Sequence, residues 1–241
     1  IKGSPYEVHC KPAQLSVSHS QLFGPGATDG TAGASTPFSV RARDVFDNVL
    51  LEGKYRWGVS LYSAAASYTV HQPIDELSDG TFGFTYNVTR SGSYELIVGA
   101  LSPDGRVNAS LQVQGSPSVV TVRAGPLCGR RSKAFGPTAA NNGADGAADD
   151  GAWVEGAGRP VRLWLEARDR HDNVHESAIE PAPFVISVHK RSGARIVLPA
   201  AAAVVRAASR GGQGACTADL VLPNTGDYLV KVVADAVAGG E

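Results

Sequence analysis

Long apolar runs are missing from this chain of 241 residues. None approaches the ~20 consecutive apolar residues that a membrane-spanning helix requires. A surplus of one charge is missing too. The formal net charge is −1, with 9 basic and 10 acidic side chains in residues 1–123 and 13 of each in residues 124–241. Neither half is basic by count, which argues against nucleic acid or an anionic membrane as the main partner. Cysteine is scarce: Cys10, Cys128 and Cys216 are the three. None belongs to a C-x-x-C pair, so a zinc site of the usual spacing is not expected. Sustained helical periodicity is lacking, and so are the signatures of catalysis. There is no G-x-S-x-G and no phosphate-cradling glycine loop before a helix. His171 and His175 stand four apart, but in a predicted turn and without the H-E-x-x-H pattern. They read as scattered surface histidines, and the chain reads as non-enzymatic, with no cofactor.

What is present is an internal repeat. Ala42-Arg43-Asp44-Val45-Phe46-Asp47-Asn48-Val49 returns as Ala167-Arg168-Asp169-Arg170-His171-Asp172-Asn173-Val174, an A-R-D-x-x-D-N-V pattern with an alternating strand before each copy. Gly3-Ser4-Pro5 matches Gly115-Ser116-Pro117, and Ser20, Phe23, Gly24 and Pro25 match Ser132, Phe135, Gly136 and Pro137. Gly92-Ser93-Tyr94 matches Gly226-Asp227-Tyr228. The matches keep their order while insertions fall between them, as loops vary on a constant scaffold. Modules of roughly 110 to 120 residues can each bury a usable core.

Alternation with period two marks the strands. Phe38, Val40 and Ala42 face one way, then Trp57, Val59 and Leu61, then Phe82, Phe84, Tyr86 and Val88, then Tyr94, Leu96 and Val98. Ser67–Val70 reads as a short edge strand, and residues 24–37 read as a loop. Val107–Val113 leads back to a closing strand headed by Gly115-Ser116-Pro117. In the second half the strands are Val161–Ala167, Phe184–Val188, Cys216–Leu222 and Tyr228–Val232, with a long loop over 138–159. Short strands with Gly, Pro and Asp turns predict an all-β fold of two antiparallel β-sandwiches. The boundaries read as 1–10, the closing strand of a preceding repeat; 11–123, repeat one; and 124–241, repeat two, whose closing strand is missing. The chain therefore looks like a piece cut out of phase with its own repeat.

Asp44 and Asn48, Asp79-Gly80-Thr81, Tyr86, Gly92 and Tyr94, and Gly115-Ser116-Pro117, taken in this order and spacing, resemble the filamin-type immunoglobulin-like repeat. Asp169, Asn173, Gly226 and Tyr228 carry the resemblance in the second copy, and it covers nearly the whole chain. It departs in the 138–159 loop, in the 101–112 insertion and in Ala-rich segments. The resemblance implies rod-like arrays of seven-stranded sandwiches. In filamins these crosslink actin and bind peptides between the third and fourth strands, and similar repeats occur in cell-surface and gamete adhesion proteins. The function it implies is a non-enzymatic interaction or structural module of a larger multi-repeat adhesion protein at the cell surface. The alternative is an intracellular cytoskeletal or ciliary scaffold.

Several residues invite a sharper reading. Asp44, Asp47 and Asn48 offer oxygens to calcium, which needs six to eight. A strand-to-turn corner, with Asp accepting backbone N–H bonds and Asn in left-handed geometry, explains them more simply. Asn141–Ala152 looks like a calcium loop but has Gly143 and Ala152 where ligands are required. Strand addition by a protein partner needs an open edge. The candidates are Gly58, Val59, Ser60, Leu61 and Tyr62 beside Ser67–Val70, and Val185, Ile186 and Ser187 in repeat two. Asn87 and Asn108 head N-x-S/T sequons at outward positions. Cys128 and Cys216 are either a bridge from the first strand to the sheet core or a pair of free thiols. Trp164 is outward by alternation, capped by the 138–159 loop or left as an aromatic anchor.

Overall fold

The structure, a computed structural model, describes residues 3–51, 55–63, 66–70, 76–77, 79–102, 105–136, 157–176, 184–191, 195–196, 203–210, 213–222 and 224–234. The chain divides into two compact units, Ile1–Arg123 and Ala124–Glu241. Both are built of strands, and one 3-10 turn at Pro25–Ala27 is the only helical element among the described residues.

Unit one carries β1 (Gln21–Phe23), β2 (Asp29–Thr31), β3 (Thr36–Arg41), β4 (Trp57–Ser63), β5 (Ala66–Val70), β6 (Glu76–Leu77), β7 (Thr81–Tyr86), β8 (Gly92–Leu101), β9 (Val107–Gln112) and β10 (Ser118–Arg123). One sheet runs β1-β3-β7-β6, the other β2-β10-β8-β4-β5 with β9 on β8. The alternation in the sequence becomes the two inner faces. Phe38, Val40, Phe82 and Phe84 from the first sheet meet Val59, Leu61, Leu96, Val98 and Val120 from the second in one buried cluster. Phe38 stacks on Phe84 at 4.9 Å within its sheet, and Trp57 meets Phe82 edge-on at 5.9 Å. Fully burying each such side chain contributes about 1.5–3 kcal/mol.

Unit two carries β11 (Lys133–Phe135), β12 (Pro160–Glu166), β13 (Phe184–Lys190), β14 (Arg195–Ile196), β15 (Ala203–Arg210), β16 (Gln213–Val221) and β17 (Tyr228–Ala234). Its sheets run β11-β12-β16-β15 and β14-β13-β17. Val161, Leu163, Leu165, Ala167, Cys216, Ala218, Leu220 and Phe184 form its buried core, with Ile186, Val230, Val232 and Ala234 packed against it but only partly covered. The registers repeat: Val40 stands opposite Phe82 in unit one, and Leu165 opposite Cys216 in unit two.

Two expectations change. Residues 24–37 are not a plain loop: β2 lies there and pairs in parallel with β10. Small residues permit it. Gly26 sits so close to Pro37 that a Cβ would come within 2.4 Å of that carbonyl oxygen, and Ala27 and Ala32 are buried. Residues 3–10 are not a strand. Among the described residues they pair with nothing, and Tyr6 and Val8 are each 78% exposed. A strand is stable only when its backbone groups find a ladder partner, and this segment has none.

Candidate functional site

The repeated A-R-D-x-x-D-N-V stretch is a backbone corner, made twice with the same bonds. Asp44 and Asp169 are completely buried. Asp44 Oδ1 accepts the N–H groups of Phe46 and Asn48, both at 2.9 Å. Its Oδ2 accepts Ala13 N–H at 2.8 Å and the Asn48 side-chain amide at 3.0 Å. Asp169 Oδ1 accepts His171 and Asn173 N–H at 2.8 and 3.0 Å, and Oδ2 accepts Gly125 N–H and Asn173 Nδ2 at 2.8 and 2.7 Å. A carboxylate has about four acceptor positions, and here all four are used within the chain. The corner holds backbone together and leaves no carboxylate lone pair directed at a cation. Burial alone would raise the Asp44 pKa, but Asn48, Ala13 and Phe46 donate strongly enough to hold it down to about 2. Asp169 is lowered in the same way: burial opposes the shift, and Asn173, Gly125 and His171 outweigh it. The left-handed residue is not the Asn. Asp47 and Asp172 take φ 65 and 72, and the guanidiniums of Arg43 and Arg168 donate to their carbonyls at 2.7 and 3.2 Å.

The corner has a second layer that the motif does not reveal. Ser20 Oγ donates to Ser16 O and accepts Arg43 N–H. Ser132 Oγ donates to Cys128 O and accepts Arg168 N–H. The Ser20/Ser132 match in the repeat was the available signal. Cys128 thus takes the place of Ser16, and its own N–H donates to Arg168 O at 2.7 Å. A bridge from Cys128 to Cys216 is not formed, and all three cysteines are free. Cys128 is committed by its backbone to the corner turn. Cys216 is packed in the sheet core opposite Leu165, where burial pushes its thiol pKa up and keeps it a small apolar side chain. The matching Gly-x-Tyr sites are a second repeated anchor. Tyr94 donates its hydroxyl to Arg90 O and Tyr228 to Asn224 O, each at 2.8 Å, the tyrosine-corner arrangement of immunoglobulin-like sandwiches.

The predicted edges separate. β4 is not an edge: it is hydrogen-bonded to β8 on one side and β5 on the other. Gly58, Val59, Ser60 and Leu61 are buried there, and Tyr62 alone of the five is exposed. The hairpin to β5 covers them, so the outermost strand of that sheet among the described residues is Ala66–Val70. In unit two, β17 pairs the whole length of β13, and β14 reaches only Val188 and His189. Among the described residues, Val185, Ile186 and Ser187 have no strand on that side, and Val185 is 53% exposed. The structure therefore does not bring the eight edge residues to equivalent places.

Asn87 is exposed between buried Tyr86 and Val88. Asn108 is half-buried on β9, with its Oδ1 accepting Ser110 N–H at 2.9 Å. Trp164 is half-buried on β12, opposite Phe135 and Thr217. Residues 137–156, with the expected cap and the Asn141–Ala152 stretch, lie outside the described residues. His171 is half-buried at the corner. His175 is half-buried where unit one has the buried Leu50, and its Nε2 is enclosed with no hydrogen-bond partner among the described residues.

No family model and no curated protein sequence matches the chain. Solved structures do. FdeC, an Escherichia coli adhesin, aligns over 94% of this chain at a TM-score of 0.51 and 16% identity. Invasin, a bacterial integrin-binding protein, aligns over 95% at 0.53 and 13%. The fold is immunoglobulin-like. The filamin domain of Lin-41 aligns over 46% of this chain and 98% of its own, at a TM-score of 0.37 and 18% identity. The chain spans 63% of the FdeC chain and 39% of the invasin chain.

Proposed function

We propose that the two units are a non-enzymatic interaction and spacing segment of a larger, multi-repeat adhesion protein at the cell surface. The carrying observation is where the polar residues go. The two best-repeated constellations, the Asp corner and the tyrosine anchor, are consumed in holding the fold. Among the described residues, what remains available includes strand edge, at Ala66–Val70 and at Val185–Ser187, where backbone groups can accept an added strand from a protein partner. The likeness to FdeC and invasin supports the adhesive reading through fold alone. Exposed Asn87 and half-buried Asn108 would carry glycans in a secretory compartment. We assign residues 11–123 and 124–241 to the two repeats and 1–10 to the repeat before them.

The intracellular scaffold is the second reading, and it predicts that Cys10, Cys128 and Cys216 stay reduced and that the sequons go unused. An antibody raised against the chain separates the two. On the adhesive reading it labels intact, unpermeabilised cells of the organism that makes the protein, and its Fab fragment reduces their attachment. Labelling that appears only after permeabilisation ends the surface reading.

A further inference from the structure

The repeat exchanges one charge beside its corner. β12 ends on Glu166 where β3 ends on Arg41. The cross-strand neighbours agree: Lys133 stands opposite Glu166, and its match, Gln21, stands opposite Arg41. Two residues further on, Arg43 and Arg168 hold the same position of the motif. Side chains two apart along a strand share a face. Arg41 therefore neighbours Arg43 on the outer face of unit one, as Glu166 neighbours Arg168 in unit two.

In unit two this face is closed on itself. Arg168 Nε donates to Glu166 Oε1, and Arg168 Nη1 pairs with Asp172 Oδ1 at 3.2 Å. The Arg168 and Glu166 side chains are only 18% and 17% exposed, so the pair is packed rather than solvated. In unit one the matching residues are Gln21, Arg41, Arg43 and Asp47. The Asp47 carboxylate pairs with His19 Nδ1 at 3.0 Å, and Arg43 Nη1 donates to the Asp47 carbonyl instead. Arg41 lies over the Phe23 ring, 5.1 Å from its centroid. That contact holds a guanidinium in place without neutralising it. Among the described residues neither arginine is paired with a carboxylate. Asp44 has its four acceptor positions filled, and Asp79 Oδ1 accepts Thr81 N–H at 3.0 Å. Thr81 stands opposite Arg41, and its buried hydroxyl has no partner among the described residues, where the repeat puts Ala215 in unit two.

We infer that Arg41 and Arg43 receive a glutamate or aspartate side chain of a protein partner, in the place that Glu166 fills within unit two. The chain itself shows the fit, since the same corner with the same second arginine takes a carboxylate there. Both arginines are half-buried, and a guanidinium grips a carboxylate through a fixed fork of donors in charge-assisted bonds. The approach is clear. Ser39 and Gly83 share the outer face with Arg41, and a Cβ on Gly83 would meet no described atom within 4 Å. A strand glycine of this kind lets another backbone come close. An acidic segment lying over Ser39 and Gly83 brings its carboxylate to Arg41 and its apolar atoms to Phe23. The contact is made on a sheet face and not by strand addition, and it holds whether or not the protein serves adhesion.

Titration calorimetry of the full chain with a capped hexaglutamate peptide at low ionic strength tests this. The net charge of −1 gives such a peptide no general attraction. The expected result is one bound peptide per chain, with an affinity that falls as salt is added. Arg41→Glu rebuilds the ion pair of unit two within unit one and weakens binding roughly tenfold or more. Arg41→Gln, which removes only the charge, weakens it in the same direction. Arg90→Gln, at an exposed arginine elsewhere on unit one, leaves it unchanged. Absence of binding to the wild-type chain overturns the proposal, and so does binding that both Arg41 variants retain. An equal loss in Arg90→Gln overturns it as well, because the attraction is then general. Inorganic phosphate that binds as tightly as the peptide overturns the assignment to a partner's carboxylate.

Discussion

The two units share the aspartate corner, its serine and the tyrosine anchor, and among the described residues they differ in how well the core beneath is covered. Asp44 and Asp169 accept the same four donors, Ser20 and Ser132 make the same turn, and Tyr94 and Tyr228 reach back to the same carbonyl. Yet among the described residues unit one buries twenty apolar side chains in its core cluster and unit two buries eight. The backbone corners therefore do not need a full core to form. Most of their bonds join residues close in sequence, and one backbone donor, Ala13 or Gly125, comes from the segment that leads into the unit. The core is the non-local part.

The largest expected effect tests whether the corner is equally indispensable in both units. Asp44→Ala leaves the N–H groups of Ala13, Phe46 and Asn48 inside the fold without an acceptor, and Asp169→Ala does the same to Gly125, His171 and Asn173. Buried donors stripped of their partner are among the costliest defects. Each substitution should abolish the cooperative unfolding transition of its own unit in calorimetry and leave the other transition in place. If both transitions survive Asp169→Ala unshifted, the corner is ornamental in unit two. The acid limb follows with its sign. Both carboxylates are held below their ordinary value of about 3.9, so their contribution is complete above that pH and lost as pH falls towards the folded value, about 2 for Asp44.

A middle-sized effect sharpens the difference in covering. Leu96 is completely buried between β4 and β10, and Leu96→Ala should cost about 2–5 kcal/mol. Val230 is its counterpart, half-covered on β17, which among the described residues pairs only with β13, and Val230→Ala should cost roughly 1 kcal/mol or less. Urea titration of each variant reads both. Equal losses would mean that the edge of β17 is covered after all.

Much of this was legible in the residues because period-two alternation and a repeat report directly on which side chains face inward. Val40, Leu96, Leu163 and the corner aspartates all sit where that pattern puts them. The edges were not legible. Alternation along Gly58–Tyr62 says which face is buried but not how many neighbours flank the strand, and that depends on the β4–β5 hairpin. β2 was hidden for a related reason: three residues, Asp29-Gly30-Thr31, pair in parallel with a strand far along the chain, and nothing local in them encodes a strand. Cys128 was misleading because its place is set by its backbone N–H and carbonyl, which any residue could supply.

The smallest effect turns on one substitution between the units. Leu50 is a core residue of unit one, 6% exposed, and His175 occupies the same step after the corner, each donating its N–H to the carbonyl of the alanine that opens the motif. Burial lowers the His175 pKa, and the Asp169 carboxylate nearby opposes this without cancelling it. The imidazole is thus neutral in the folded unit at a pH where the unfolded chain already binds a proton. The unfolded value is about 6.5. Stability from this residue is complete above that pH and is lost as pH falls through the lower folded value, because the unfolded state binds the extra proton. Unit two should therefore melt at a lower temperature at about pH 5.5 than at about pH 7.5. His175→Leu should remove that difference and raise the transition at both, since an apolar side chain then fills a site where Nε2 has no partner among the described residues. A His175→Leu protein that keeps the same pH slope would show that the slope belongs to another group, and the contrast with Leu50 would then lie in packing alone.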